Sequence, residues 1–180
     1  MTLTDIANLV LEDLGARAIP SLDSDDFDAQ RVKRRIYTTI DEVATLRKWT
    51  RLRKTVKLVK ASEDEFGSHF LLPNGLVEII ETFPHCDYRP EGKELIASFP
   101  ELAIKCTIIS YNPNDWCVNL RGAIISKLGA DLAMMITKDP QLAMQRKQLA
   151  NLDIPRYIGN DIYADEEYRV KYKPMWHDGY

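Results

Sequence analysis

The stretch "YNPNDWCVNLRGAIISKLGADLAMMITKDPQLA", Tyr111 to Ala143, decides the fold. It reads as a strand end, a Pro-Asn break and a helix from about Asn114 to Thr137 that is apolar round much of its girth. Gly122 and Gly129, with Ala130 and Ala133 beside them, permit close approach of another backbone. A helix with so little polar face is enclosed either by its own domain or by copies of the same chain. Asn114 is placed to cap this helix. Asp139, with Pro140 at the tolerated first helical position, starts another that runs to about Leu152.

Working outward, Ile6, Leu9, Val10 and Leu14 recur at helical steps, which predicts a first helix over about Leu3 to Leu14 with Gly15 ending it. A loop follows, broken by Pro20 and carrying Asp23, Asp25, Asp26 and Asp28. Carboxylates there suit the start of a second helix, where unpaired amides point outward. That helix is read from about Asp26 to Trp49, with Ala29, Val32, Ile36, Ile40, Val43 and Trp49 as its buried stripe. After Leu52 the period becomes two. "KTVKLVK" alternates, "HFLLPNGLVEIIETF" reads as a hairpin turning at Pro73-Asn74-Gly75, and "KELIAS" and "IKCTIISY" are further strands.

The expected architecture is therefore α+β. A bundle of about four helices carries a small antiparallel sheet between helices two and three, and an extended C-terminal arm follows. The expected division is a domain over residues 1–152, with helices in 1–52 and 112–152 and the β insertion in 53–111, then an arm over 153–180. Trp49 and Trp116 are assigned to packing, in the core or where helix meets sheet.

With 180 residues, 45% hydrophobic and 28% charged with a net charge of −3, the composition is that of a soluble globular domain with no demand for a membrane partner. No apolar run is long enough to span a bilayer, and the N-terminus lacks the basic flank and apolar centre of a signal peptide. An intracellular protein is the expectation. Cys86, Cys106 and Cys117 have no paired spacing and read as reduced thiols. His69, His85 and His177 show no metal-ligand spacing, so no metal or cofactor is expected.

Catalytic motifs are absent from the sequence: no GxSxG, no phosphate-cradling glycine loop, no HExxH. The adjacent acids Glu12-Asp13, Asp25-Asp26, Asp41-Glu42 and Glu166-Glu167 sit in polar stretches and read as solvated. A hydrolase using two of them would need one held in a dry cleft. Charge is the next candidate. Between Arg31 and Lys60 stand eleven Lys/Arg against only Asp41 and Glu42. This segment reads as a solvated face or as a phosphate-binding surface of a DNA-binding module. A third reading has Asp23, Asp25, Asp26 and Asp28 of one copy meet Arg31, Arg34 and Arg35 of the next, a head-to-tail contact that closes rings. The tail supplies the last candidate: Tyr157, Tyr163, Tyr168, Tyr172, Trp176 and Tyr180 are contact residues suited to lie on a surface, either a partner's or the chain's own.

The order of these features resembles the head-to-tail adaptors of short-tailed bacteriophages, the tail tubular protein A family. The resemblance rests on "IANLVLEDLGARAIPSLDSDD", on "LRKWTRLRKTV" closing the second helix, on "FLLPNGLVEIIETF", and on the run from "YRPEGKELIASF" through "YNPNDWCVNLRGAIISKLGADLAMMITKDPQLAMQRKQLANL". It covers about residues 5–152. It implies a noncatalytic structural protein of the virion, made in the host bacterial cytoplasm and located at the head–tail junction. Such proteins form a homo-oligomeric, dodecameric ring beneath the portal, help retain packaged DNA, pass it on at ejection, and present a platform to the tail nozzle or tail tube. It further implies that the C-terminal arm, Tyr157 to Tyr180, reaches to the portal. In a ring, Gly122, Gly129 and Ala133 serve close helix packing within or between subunits. A mildly acidic chain also suits a channel that must not hold DNA through counterion-linked contacts.

Overall fold

The computed structural model describes residues 1–164 and divides into two compact units, Met1–Val43 with the chain from Tyr111 onward, and Ala44–Ser110. In sequence order the second unit is a β insertion between the second and third of four helices, the architecture expected.

The helical unit begins with α1, Leu3–Asp13, whose first turn is closed by a capping box: the Thr2 hydroxyl accepts from the Asp5 amide and the Asp5 carboxylate accepts from the Thr2 amide. Its end is a Schellman turn. Gly15, at φ 71°, donates to the Glu12 carbonyl and Ala16 donates to Leu11. The loop that follows is tied back by Asn8, whose side chain both accepts from and donates to the Ile19 backbone. Helix α2 spans Phe27–Thr45, with Asp26 as its cap accepting from the amides of Asp28 and Ala29. The stripe Ala29, Val32, Ile36, Ile40 and Val43 is fully buried, as its spacing requires. The helix stops at Thr45, short of the expected Trp49. Trp49 is nevertheless fully buried, in the turn that leads to a short 3-10 segment at Thr50–Leu52.

Helix α3 spans Val118–Thr137 and α4 spans Pro140–Tyr163. Asn114 does not cap α3. It lies in a separate 3-10 turn, Pro113–Asp115, and the cap is Cys117, whose Sγ accepts from the Leu120 amide. Asp139 caps α4 with Pro140 in its first turn, as expected. Every residue of α3 from Asn119 to Ala133 is buried or half-buried, and the walls come from this chain. A Cβ on Gly129 would meet Val10 of α1 at 3.9 Å, and one on Gly122 would run into the Tyr157 ring of α4. Arg35 and Glu42 of α2 engage Asp131 and Lys127 on another side. Over Asn119–Ala133 the girth of this helix is thus covered within the chain, while Val118, Met134 and Met135 at its ends are exposed.

Helix α4 corrects the expected end near Leu152. It continues through Pro155, despite the missing amide there, because its later turns find partners on α3. The Tyr157 ring lies over Gly122, and the Cys117 thiol donates to the buried Asp161 carboxylate at 3.4 Å. Residues 153–163 are therefore helical rather than extended. Tyr168, Tyr172, Trp176 and Tyr180 lie outside the described residues.

The β unit holds two antiparallel sheets, not one. The first has the order β1 (Arg53–Lys57), β7 (Ala103–Ile108), β4 (Leu76–Phe83). The second has the order β2 (Val59–Asp64), β3 (Gly67–Leu71), β6 (Glu94–Ala97), β5 (Tyr88–Glu91). The hairpin expected at Pro73–Gly75 is not formed. That turn carries the chain from β3 in one sheet to β4 in the other, and β4 pairs with β7. The true tight hairpins are β2–β3, turning at Glu65-Phe66, and β5–β6, turning at Gly92-Lys93 with Gly92 at φ 60°. Leu58, buried, is the single residue at which the chain switches sheets between β1 and β2. Both sheets contribute to one core of Leu58, Phe70, Leu95, Ala97, Leu102, Ile104 and Cys106. Cys86, Cys106 and Cys117 are not bridged.

Candidate functional site

Four features of the molecule are more than packing. The first is the outer face of α4. Met144, Gln148, Leu152 and Pro155 follow one another at steps of three and four, Tyr163 lies two such steps further on past the half-buried Gly159, and all five are exposed. Met144 is 66%, Leu152 72% and Tyr163 74% exposed. The only charged residues among the exposed positions of this helix are Lys147 and Arg156, and Arg156 is paired with Asp153 at 2.9 Å. Solvated helices ordinarily carry interspersed charges on their outer face, whereas protein contact surfaces are depleted of them at their centre. This charge-poor stripe is the most apolar exposed face of α4. A helix read to end at about Leu152, just before Pro155, contains only part of this stripe, which is why the sequence does not show it.

The second feature is a four-charge cluster joining α2 and α3. Asp131 receives hydrogen bonds from Arg35 Nε at 2.9 Å, from the buried Thr39 hydroxyl at 3.3 Å and from Lys127 at 2.8 Å. Glu42 accepts from Arg35 at 3.1 Å and lies 2.9 Å from Lys127. Burial opposes the charge on Arg35 and on Lys127, but the adjacent Asp131 and Glu42 outweigh it and raise both pKa values. Two cations and two anions compensate within the cluster, which fixes the register of α2 on α3.

This arrangement bears on the acid and arginine residues proposed for a ring contact. Asp23 is engaged by Lys33 at 2.7 Å, Asp26 caps α2, and Asp28 pairs with Arg31 at 3.5 Å. Arg31 also donates to the Met135 carbonyl and lies 3.8 Å over the exposed Phe27 ring. Arg35 belongs to the cluster. Asp26 is held by backbone amides alone, and the side chains of Asp25 and Arg34 have neither an ion-pair nor a hydrogen-bond partner among the described residues. Reversing Arg34 therefore tests the surface, while reversing Arg35 disrupts the fold. Three further cations of the basic segment are similarly engaged: Lys48 with Glu78, Lys57 with Glu101, Lys60 with Glu63. Of the arm residues, Tyr157 packs on α3 and Tyr163 belongs to the exposed stripe.

The third feature is a cleft of about 250 Å³ among α1, α3 and α4, floored by Gly122, Ser126 and Gly129. Asp13, Arg146 and Asp153 stand at its walls, and their charges are already used: Arg146 donates to the Asp13 carbonyl, and Asp153 accepts from Ser126 at 3.4 Å.

The fourth is His69 on β3, held between two carboxylates. Nδ1 lies 2.9 Å from Glu94 Oε2 on β6. Nε2 lies 3.1 Å from Asp64 Oδ2 on β2, an ion-pair contact rather than a well-directed hydrogen bond. The hydrogen bond to Glu94 and the nearby Asp64 carboxylate together outweigh burial and raise the imidazole pKa. Asp64 is lowered by the amide of Phe66 and by His69. A histidine with a raised folded pKa contributes stability that is complete below its unfolded pKa, about 6.5, and is lost as pH rises through the folded value. Denaturant midpoints of the wild type and of His69→Gln should therefore differ most in mildly acidic buffer and converge as pH rises. Parallel curves across that range would show that the imidazolium does not hold the three strands.

No helix among the described residues is long and apolar enough to cross a membrane. When the chain is compared with known proteins, no family model and no curated protein matches it.

Proposed function

We propose that this chain is a noncatalytic subunit of a virion assembly, a ring adaptor between the portal and the tail of a bacteriophage, as its sequence resemblance implies. The observation that carries the reading is the exposed, charge-poor stripe of α4: Met144, Leu152 and Tyr163 present apolar area that a freely solvated helix has no use for. The helix includes the first residues of the 153–180 segment that the resemblance directs to the portal. We assign the stripe to the portal side of the subunit. The contacts between copies would then lie elsewhere on the chain, and packaged DNA would pass through the ring to the tail nozzle.

Replacing Met144 and Leu152 together by glutamate places two charges in the middle of the stripe without touching the core. The double variant should keep the wild-type circular dichroism and melting temperature. Its binding to the portal should weaken by about a hundredfold or more, because each charge must be desolvated against an apolar partner. Portal binding at wild-type strength by a folded double variant would remove the α4 stripe from the interface.

A further inference from the structure

The β2–β3 hairpin carries an aromatic residue that its own fold does not explain. Every residue of β2, the edge strand of its sheet, is exposed, whereas β3 places Ser68 and Phe70 in the interior. Its turn is already built by its neighbours. Asp64 Oδ1 accepts from the Phe66 amide at 2.8 Å, and Gly67 at φ 137° supplies the unusual backbone. The Phe66 side chain is 63% exposed, and the guanidinium of Arg89 lies over its ring at 5.6 Å from the centre. Beside it Glu65 has no partner among the described residues, while Glu63 is paired with Lys60 and Asp64 with His69.

The same unit offers the complementary charge elsewhere. Arg51 and Lys54, at the entry to the edge strand β1, are exposed and have no partner among the described residues. Their neighbours Arg53 and Lys57 are satisfied by the Lys48 carbonyl and by Glu101. Among the described residues Glu65 is paired with neither of these cations. Beyond Leu58 the chain runs out along the six residues of β2, roughly 20 Å, before it reaches Glu65.

We infer that the tip of the β2–β3 hairpin, Glu65 and Phe66, docks on the Arg51–Lys54 strip of a second copy of this chain. Glu65 meets a cation, and the free face of the Phe66 ring lies against the guanidinium or the aliphatic stem of its neighbour. The two surfaces differ, so the contact is heterologous and propagates from copy to copy, closing into a ring when the rotation permits. This inference rests on the proposed role as an assembling subunit and specifies which surfaces join neighbouring copies.

A charge swap in the full chain tests it. Self-association is followed by light scattering over a range of concentrations, alone and on the portal of the same phage. Glu65→Lys, Lys54→Glu and Phe66→Ala each change an exposed side chain, and each should raise the concentration needed for assembly by about tenfold. The double variant E65K/K54E, which restores opposite charges across every contact, should recover most of the loss. Wild-type assembly that E65K and F66A leave unchanged would overturn the hairpin contact while leaving the subunit role standing. Loss in both single variants without recovery in the swap would show that the tip docks on something other than this strip, and would equally overturn the inference. A wild-type chain that stays monomeric alone and on the portal would overturn both readings.

Discussion

Replacing Gly67 by alanine is expected to destabilise the β unit by about 3 kcal/mol or more. Gly67 opens β3 at φ 137°, a backbone conformation that costs an L-residue strain by itself. A Cβ there would also stand 2.7 Å from the carbonyl oxygen of Ala97 on β6. Both groups are fixed, one by the hairpin turn and the other by its strand, so β3 and β6 must separate to admit the methyl group. That separation disturbs the layer of Phe70, Leu95 and Ala97, all buried in the common core. In a chain of this length the loss corresponds to a fall in melting temperature of roughly 10 °C. Gly159→Ala is the control, because no atom lies within 4 Å of its added Cβ and its φ is not positive. It should be neutral, or stabilise the helix by up to about 1 kcal/mol. A Gly67→Ala protein as stable as the control variant would mean that β3 and β6 do not approach so closely.

Removing the Asp131 carboxylate is expected to cost about 2–3 kcal/mol, the larger part of it through what is left behind. In Asp131→Ala the cations of Arg35 and Lys127 keep only Glu42 between them, and the fully buried Thr39 hydroxyl loses its acceptor. The cost stays below that of a wholly buried pair because the side chains are 17% exposed at Asp131 and 30% at Arg35, so water relieves part of the imbalance. A double-mutant cycle isolates the effect. Once Arg35 is alanine, removing Asp131 should cost distinctly less, with a coupling of about 1 kcal/mol or more. A single-variant cost under about 0.5 kcal/mol, the value of an exposed surface pair, would show that the cluster does not hold α2 on α3.

How much of this was legible in the sequence depended on whether a signal was local. The buried stripe of α2 was legible because its residues recur at the helical period and nothing interrupts them. The caps at Asp26 and Asp139 and the Gly15 stop were legible because each acts within four residues. The course of α4 past Pro155 was not. There the helix is held by tertiary partners, and its inward stripe contains Asp161, a carboxylate that a hydrophobic pattern counts as solvent-facing although it is 2% exposed. Strand pairing failed for the same reason. Leu-Pro-Asn-Gly is a strong local turn signal, but whether the flanking strands pair with each other is decided by distant segments, β6 for one and β7 for the other.

The candidate surfaces show the same division. The Asp23–Asp28 acids and the cations of Arg31–Arg35 were legible as opposite charges close in sequence, and two pairs of them, Asp28 with Arg31 and Asp23 with Lys33, meet inside the chain. The α4 stripe and the Phe66 tip are visible only once burial is known, since an exposed and a buried apolar residue look alike in a sequence. The small side of α3 at Gly122 and Gly129 was legible, but not what faces it: the Tyr157 ring crowds Gly122, while Val10 stands at ordinary contact distance from a Cβ at Gly129.

The central claim is that this chain is built to assemble. Light-scattering mass with negative-stain imaging, on the purified chain alone and mixed with the portal of the same phage, tests it most directly. The account predicts a ring, or a new layer of subunits stacked on the portal, with α4 turned towards it. A chain that remains monomeric at high concentration and leaves the portal unchanged would contradict it.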